Sequence, residues 1–276
     1  MSKERGTPYL QILDFFWSSK TKYSVHSPFV FDFVNEVMLK PMPKRQLEKI
    51  ENQRQKFLTD RDMMDFVEYG AGSRVANGHQ RQISKVASSS LSGKWQCRLM
   101  HNMINTYRPK NVLEIGTSLG VSAAYLAAAN QESQIVTLEG NPSSAAKAEA
   151  LFAELDFSNV TVKLGEFGST LTPTLEQLKR VDCAFIDGNH RKQATIDYYN
   201  LIKKYTTNKS FLIIDDIYWS HGMNSAWQHI QSDPDVAFSI DLFRMGVVFF
   251  DKTIMPRQHF KLIESKWKLW SVGLFG

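Results

Sequence analysis

The chain has 276 residues, of which 43% are hydrophobic and 22% are charged, and its formal net charge is +5. This apolar content excludes a disordered chain and suffices for one full α/β domain with an appendage. The 33 Lys and Arg residues are dispersed without a dense basic block, so nucleic acid is not the expected partner. The charge suits an anionic substrate or surface but does not require one.

Two cysteines, Cys97 and Cys183, lie far apart in apolar contexts. This pattern is typical of buried free thiols in a reducing compartment, and neither cysteine belongs to a metal-binding motif. The N-terminal sequence has no uninterrupted apolar core before a small-residue cleavage site, and no later apolar run is long enough to cross a bilayer. The sequence therefore predicts a cytoplasmic protein without an integral membrane segment.

Residues 1–93 lack the alternation of strands and helices that the later chain has. From Tyr9 to about Phe66, aromatic and aliphatic residues recur at three- and four-residue spacing, which predicts helices. Ser27 followed by Pro28 is typical of an N-cap and a first helical position. Because aromatic stripes at helical spacing are normally buried, we expect a helical cap or dimerisation element that packs on the main domain or on a second copy.

A Gly/Ser-rich stretch follows within the same region. Glu68, Gly70 and Gly72 imitate a cofactor loop, but the residues before them make a poor buried strand and the segment after them has no apolar helix face. We therefore interpret this stretch as a lid or substrate loop. An acidic substrate would meet three basic side chains in this stretch, Arg74, His79 and Arg81.

The stretch NVLEIGTSLGVSAAYLAAA, from Asn111 to Ala129, has the pattern of a buried strand, a glycine loop and a helix. Such a loop leaves the first backbone N–H groups of the helix unpaired, and glycine lets a ligand approach them, so a nucleotide-like cofactor is expected. In a dinucleotide-binding loop, glycine would occupy the position that Ser118 holds here. The spacing therefore disfavours an NAD(P)-dependent oxidoreductase, which stays open as an alternative.

A second buried strand, Ile135 to Leu138, ends in Glu139. Glu139 lies roughly twenty residues after the glycine loop. A carboxylate at this spacing accepts hydrogen bonds from both hydroxyls of a ribose. Pro142 then begins an Ala-rich helix. Glu139 is therefore the predicted ribose ligand.

Apolar runs in the second half of the chain predict three more parallel strands, VTVKL, VDCAFI and FLIID. Successive parallel strands of an open α/β sheet present their carboxyl ends to one crevice, so the residues that follow them should share that edge. These residues are Gly165, Glu166, Asp187, Asp215 and Asp216.

After the fifth strand, VAFSIDLF and MGVVFF are β-rich runs separated by little more than Arg244, which predicts an antiparallel hairpin. The glycine loop, the carboxylate after the second strand and this hairpin together resemble class I S-adenosylmethionine-dependent methyltransferases. The resemblance extends from Asn111 to Phe250. It implies a Rossmann-like three-layer α/β/α sandwich with a seven-stranded, mostly parallel sheet and one antiparallel strand, and a methyltransferase domain over residues 94–276.

The resemblance also implies residue roles. In this family the loop after the first strand wraps the amino-acid end of S-adenosylmethionine, and residues after the third strand, here beginning at Leu164, flank the adenine. The cofactor-binding residues carried over in this way are Glu114, Gly116, Thr117, Ser118, Gly120, Glu139, Gly140, Gly165, Glu166 and Asp187.

The residues after strands four and five resemble those of catechol- and caffeoyl-CoA-type O-methyltransferases, in which such oxygens bind a divalent ion that holds the acceptor hydroxyl. The implied ligands are Asp187, Asp215 and Asp216, which would suit Mg²⁺, Ca²⁺ or Mn²⁺. Two positions depart from that branch, since His190 stands where it has lysine and Asp216 replaces an asparagine. The segment FIDGNH is more similar to a broader group with a DGxH motif after strand four, which includes some sugar and macrolide O-methyltransferases.

These observations predict an O-methyltransferase that acts on a small-molecule or sugar-containing hydroxyl acceptor. The predicted catalytic residues are His190 and Asp187; histidine titrates near neutral pH, which suits a general base, while a helix cap is the alternative role of His190. An NAD(P)-dependent oxidoreductase would need a Tyr and Lys pair at helical spacing near the sheet edge, which the sequence lacks. A non-catalytic cofactor-binding scaffold is the third hypothesis. Homodimerisation through the N-terminal helices is also expected.

Overall fold

The computed structural model describes residues 8–66, 79–252 and 257–268. The chain divides into two compact units. The central unit is Pro41–Lys179, and the terminal unit combines Met1–Lys40 with Arg180–Gly276. The boundary predicted between residues 93 and 94 stays a prediction.

Ten α-helices lie in the residues that the structure describes. In chain order they are α1 (Pro8–Ser18), α2 (Pro28–Phe33), α3 (Lys44–Thr59), α4 (Ile83–Ser90), α5 (Lys94–Tyr107), α6 (Val121–Ala129), α7 (Pro142–Glu154), α8 (Phe167–Leu178), α9 (Lys192–Lys203) and α10 (His221–Ser232). Helix α2 continues into a π-helical turn, Val34–Met38, and short 3-10 turns occupy Lys22–Ser24 and Ser265–Trp267. In this described part of the chain, no helix combines the length and the apolarity that crossing a membrane requires.

The strands, in chain order, are β1 (Met63–Phe66), β2 (His79–Gln82), β3 (Asn111–Ile115), β4 (Gln134–Glu139), β5 (Val160–Leu164), β6 (Cys183–Ile186), β7 (Phe211–Asp215), β8 (Phe238–Asp241), β9 (Met245–Phe249) and β10 (Gln258–Lys261). Strands β1 and β2 form a separate antiparallel pair. The prediction of helix as far as Phe66 is wrong at its end. Met63 is exposed and Met64 is buried, and this alternation belongs to a strand rather than a helix.

The main sheet has the strand order β10-β8-β9-β7-β6-β3-β4-β5, and helices flank it. In the central unit, β4 pairs in parallel with β3 and β5. In the terminal unit, β6 is parallel to β7, whereas β9 is antiparallel to both β7 and β8. The predicted fold class, a mostly parallel sheet with one antiparallel strand and a closing hairpin, is confirmed.

Within the described residues the sheet contains eight strands, which corrects the predicted seven. The additional strand is β10, which pairs in parallel with β8 at the sheet edge. Its sequence, QHFK, is too short and too polar to give a strand pattern, so only its hydrogen bonds to β8 identify it.

The core of the central unit is built around α6. Every residue of this helix is buried, and its many alanines lack the side-chain bulk that would hold neighbouring elements apart. Leu119, in the loop before α6, packs into a cluster with Met64 and with Ile83 and Val86 of α4. The polypeptide before residue 93 therefore contributes directly to the support of the glycine loop.

The core of the terminal unit lies on β6, β7 and β9, whose residues are all buried. Trp227 of α10 packs flat against Gly246 of β9, where an added Cβ would lie 2.5 Å from the indole ring. Helix α1 docks on this unit through Phe15, whose ring centroid lies 6.2 Å from that of Tyr218 and 5.2 Å from that of Phe243.

Candidate active site

The glycine loop between β3 and α6 has the backbone conformation that its sequence requires. The φ angles of Gly116, Ser118 and Gly120 are +101°, +48° and +83°. The N–H groups of Gly116 and Thr117 donate to the carbonyl of Leu138 at 3.0 and 3.2 Å, which fixes the loop to the end of β4. At Gly120, a Cβ would come within 2.8 Å of the Cβ of an alanine on α7, so this position also lets α7 pack closely.

Glu139, the predicted ribose ligand, lies at the end of β4 and contacts this loop. Its Oε2 accepts a hydrogen bond from the N–H of Ser118 at 2.7 Å, and its Oε1 accepts one from the N–H of Asn141 at 2.8 Å. Burial raises the pKa of Glu139, while these backbone donors act in the opposite direction. The carboxylate of Glu139 is thus fixed in place by backbone N–H groups on both sides of it.

Glu114 lies beneath the loop and is completely buried. The hydroxyl of Thr137 donates to its Oε2, and Thr137 also shares a hydrogen bond with the buried hydroxyl of Thr117 in the loop. Oε1 of Glu114 has no hydrogen-bond partner in the described part of the chain. Burial raises the pKa of Glu114 to about 7. The carboxyl group is therefore built into the support of the loop and retains one unused acceptor atom.

The end of β5 lies beside Glu139. Leu164 is the register partner of Glu139, and the N–H of Gly165 donates to the Glu139 carbonyl at 2.8 Å. Leu164 is 54% exposed, which is unusual for leucine at a strand end. The carbonyl of Glu166 accepts hydrogen bonds from the first turn of α8, and Gly140 is buried directly after Glu139. Leu164, Gly165 and Glu166, predicted on the adenine side, therefore lie at the end of the strand that neighbours Glu139.

The terminal unit holds the predicted catalytic pair after β6. The Nε2 of His190 lies 3.8 Å from the Oδ1 of Asp187. The ring of Trp219, which is 55% exposed, is 6.3 Å from the His190 ring and tilted by 42°. No local sequence pattern places Trp219 beside His190, because their proximity depends on how the loops after β6 and β7 fold back.

The three predicted metal ligands do not form a common donor set. Among residues 8–66, 79–252 and 257–268, no group of three or more His, Cys, Asp or Glu side chains could hold a metal ion. Asp215 is buried at the end of β7. Asp216 adopts a left-handed φ of +51°, donates its N–H to the Arg244 carbonyl at 2.8 Å, and places Oδ1 3.8 Å from the Arg244 guanidinium.

The Gly/Ser-rich loop, including Glu68, Gly70, Gly72 and Arg74, lies outside the described residues. Beside it in the chain, Arg81 is exposed on β2. A contact that the sequence did not indicate joins this region to the cofactor loop, since the hydroxyls of Ser90 and Ser118 are 2.6 Å apart. Ser90 is the last residue of α4. No local sequence pattern predicts its contact with Ser118, because that contact depends on how α4 packs beside the loop.

The chain is similar to known methyltransferases. Residues 113–217 match the model of a methyltransferase domain. The chain is 29% identical over 114 residues to the O-methyltransferase imqG of Aspergillus flavus, and the match covers 39% of this chain and 45% of that protein. The chain thus spans less than half the length of this curated relative.

Two solved structures have a similar fold. The SAH-bound methyltransferase of Podospora anserina superposes with a TM-score of 0.57 and 18% identity, covering 80% of this chain and 93% of the other. The O-methyltransferase TomG of Streptomyces achromogenes, involved in tomaymycin synthesis and solved in complex with SAM, gives a TM-score of 0.54 and 18% identity over 80% and 96% of the two chains.

Residues 113–217 match a methyltransferase domain, and the fold is similar to those of the two solved methyltransferases, so the resemblance found in the sequence is confirmed. No finding supports the oxidoreductase alternative.

Proposed function

We propose that the chain is an S-adenosylmethionine-dependent O-methyltransferase acting on a hydroxyl of a small-molecule or sugar-containing acceptor. The observation that carries the proposal is the carboxylate of Glu139, which the N–H of Ser118 holds against the glycine loop at 2.7 Å. A carboxylate in this position suits the two hydroxyls of a ribose. The fold relatives solved with SAM or SAH support the same cofactor.

The residues of the central unit fit this cofactor. Glu139 would accept the ribose hydroxyls, and the exposed side chain of Leu164, on the neighbouring strand, offers an apolar surface to the adenine. The unused Oε1 of buried Glu114 is a fixed acceptor beneath the loop, which suits the cationic amino-acid end of the cofactor. Gly116, Gly120 and Thr117 shape the loop around it, with Gly140, Gly165 and Glu166 at the adjoining strand ends.

The cofactor supplies a methyl group on a positively charged sulfur, from which direct transfer to oxygen needs no covalent enzyme intermediate. In the reaction, a carbon–oxygen bond to the acceptor forms as the carbon–sulfur bond breaks, and the acceptor hydroxyl loses its proton. We assign the acceptance of that proton to Nε2 of His190. Asp187, 3.8 Å away, would stabilise the imidazolium that results, and the exposed ring of Trp219 provides a flat surface beside it.

The mechanism assigns no step to a metal ion. Asp187, Asp215 and Asp216 do not together form a three-carboxylate metal site, because the Asp216 carboxylate is directed toward Arg244. A divalent cation at this edge stays a prediction, and loss of activity on exhaustive chelation, restored by Mg²⁺, would support it.

Two further expectations also stay predictions. Self-association through the N-terminal helices is tested by light scattering at increasing protein concentration. A cytoplasmic location is tested by fractionation of the source cells. The scaffold hypothesis differs from the enzyme hypothesis in one outcome only, since a scaffold would bind the cofactor without turnover.

The experiment that tests the proposal has two stages. Calorimetric titration with S-adenosylhomocysteine measures binding, with NAD as the control ligand. Transfer of a labelled methyl group from S-adenosylmethionine to a panel of phenols, flavonoids and glycosides then measures turnover. Binding of NAD but not of S-adenosylhomocysteine would overturn the proposal, whereas binding without labelled product from any acceptor would favour the scaffold.

A further inference from the structure

One side of α1 is apolar and exposed. Ile12, Leu13 and Trp17 lie on this side, and Trp17 has 70% of its surface exposed. The opposite side attaches the helix to the terminal unit, with Phe15 buried against the body and Asp14 paired with a lysine of β10. A helix on a globular domain normally turns its apolar side inward, so an exposed apolar side indicates a contact surface.

A segment from the other end of the sequence extends this surface. The ammonium group of Lys268 donates to the carbonyl of Ser19 at 2.6 Å and to that of Trp17 at 3.2 Å, at the C-terminal end of α1. The same ammonium group lies 5.4 Å from the centre of the Phe16 ring. The 3-10 turn before Lys268 is thereby fixed beside α1, and it carries Trp267, which is 61% exposed.

Lysines accompany the exposed rings. The ammonium of Lys22 lies 4.9 Å from the centre of the exposed Tyr23 ring. That of Lys266 lies 5.8 Å from the Trp267 ring and also pairs with Glu264 at 2.5 Å. Lys20 lies two residues after the end of α1 and is exposed. Tryptophan and tyrosine favour the boundary between lipid headgroups and acyl chains, and nearby lysines attract anionic headgroups.

We propose that this aromatic-basic patch binds the surface of a lipid bilayer that contains anionic lipid. The patch consists of Ile12, Leu13, Trp17, Tyr23 and Trp267 with Lys20, Lys22 and Lys266. Helix α1 has 11 residues, too few to span a bilayer, so it lies in the plane of the interface with its apolar side inserted. A second copy of the chain is a poorer occupant, because a symmetric contact would bring the same lysines together.

Flotation of the full-length protein with vesicles tests the proposal. We expect binding to vesicles of equal parts phosphatidylcholine and phosphatidylglycerol, weakening as salt is raised, and no binding to phosphatidylcholine alone. The double variant Lys20→Glu/Lys22→Glu should bind anionic vesicles at least about 20-fold more weakly, since each lysine contributes about fivefold. Trp17→Ala/Trp267→Ala should weaken binding by about tenfold or more.

Matched controls lie outside the patch. Met63→Ala removes an exposed apolar side chain of the central unit, and Lys209→Glu reverses an exposed charge, so both should bind as wild type does. Unchanged thermal unfolding of every variant would show that the fold is intact. Quenching of the wild-type tryptophan emission by brominated lipid, lost in Trp17→Phe/Trp267→Phe, would support insertion. Wild-type binding by both patch variants, or a dimer that the patch variants dissociate and that does not bind vesicles, would overturn the proposal.

Discussion

The carboxylate of Glu139 and the backbone of Ser118 are joined by a hydrogen bond of 2.7 Å between Oε2 and the N–H group. This bond connects the end of β4 to the middle of the glycine loop, at a residue with a positive φ. It explains why serine is acceptable where a dinucleotide-binding loop has glycine, because the loop is closed by a carboxylate rather than by direct approach of a pyrophosphate. We propose that the same carboxylate holds the loop and receives a ribose.

Replacing Glu139 tests this double role. We expect Glu139→Gln to lower the affinity for S-adenosylhomocysteine by about a hundredfold, because hydrogen bonds to a charged acceptor contribute about 1.5–3 kcal/mol each. Calorimetric titration gives the affinity. The matched control is Glu149→Gln, an exposed glutamate on α7. Equal affinities for the two variants would show that Glu139 does not receive the ribose.

Two glycine-to-alanine substitutions in the central unit should change the free energy of unfolding in opposite directions. Gly120→Ala places a Cβ at a φ of +83° and 2.8 Å from the Cβ of Ala148, so we expect it to lower the free energy of unfolding by about 2 kcal/mol or more. Gly168→Ala, in α8, meets no atom within 4 Å and should raise the free energy of unfolding by up to about 1 kcal/mol. Urea denaturation measures both. Similar changes in the two variants would contradict the packing described for the loop.

The buried carboxyl of Glu114 predicts a pH dependence of stability. Its pKa is about 7 in the folded protein, whereas its ordinary value is 4.5. Between these two pH values the folded state keeps a proton that the unfolded state has released. The stability contributed by the protonated group is therefore fully present below pH 4.5 and is lost as the pH rises through about 7. The loss is on the order of 3 kcal/mol, at 1.36 kcal/mol per pH unit.

The variant Glu114→Gln lacks this titration. We expect its free energy of unfolding, measured in urea without cofactor, to rise relative to that of wild type between pH 4.5 and pH 7, and the difference to stay constant above pH 8. Curves that remain parallel across this range would mean that the Glu114 carboxyl is ionised in the folded protein.

The role of His190 is tested with an acceptor found in the methyl-transfer screen. We expect His190→Gln to lower kcat by about a hundredfold or more, with little change in S-adenosylhomocysteine affinity, because general-base catalysis contributes about 10²–10⁴-fold. His229→Gln, which changes an exposed histidine on α10, is the control. If His190 only caps the helix, kcat should remain while the melting temperature falls.

Much of the fold follows from local sequence patterns. The apolar runs of β3, β4, β6 and β7 are buried on both faces, which gives continuous hydrophobic stretches that are visible without a structure. The strand β10 and the pair of β1 and β2 gave no such signal, because their residues are largely polar or only half buried. Their formation depends on hydrogen bonds to strands that are distant in sequence.

The sequence by itself determined the strand–loop–helix motif and the position of Glu139 after the following strand, because glycine placement and apolar spacing encode local backbone conformation. The class of protein followed from the resemblance that these motifs carry. Tertiary structure alone decided which partners the side chains find. It directs Asp216 toward Arg244, places Trp219 beside His190, and brings Trp267 to the end of α1. These contacts join residues from separate elements, and no local pattern specifies the distance between them.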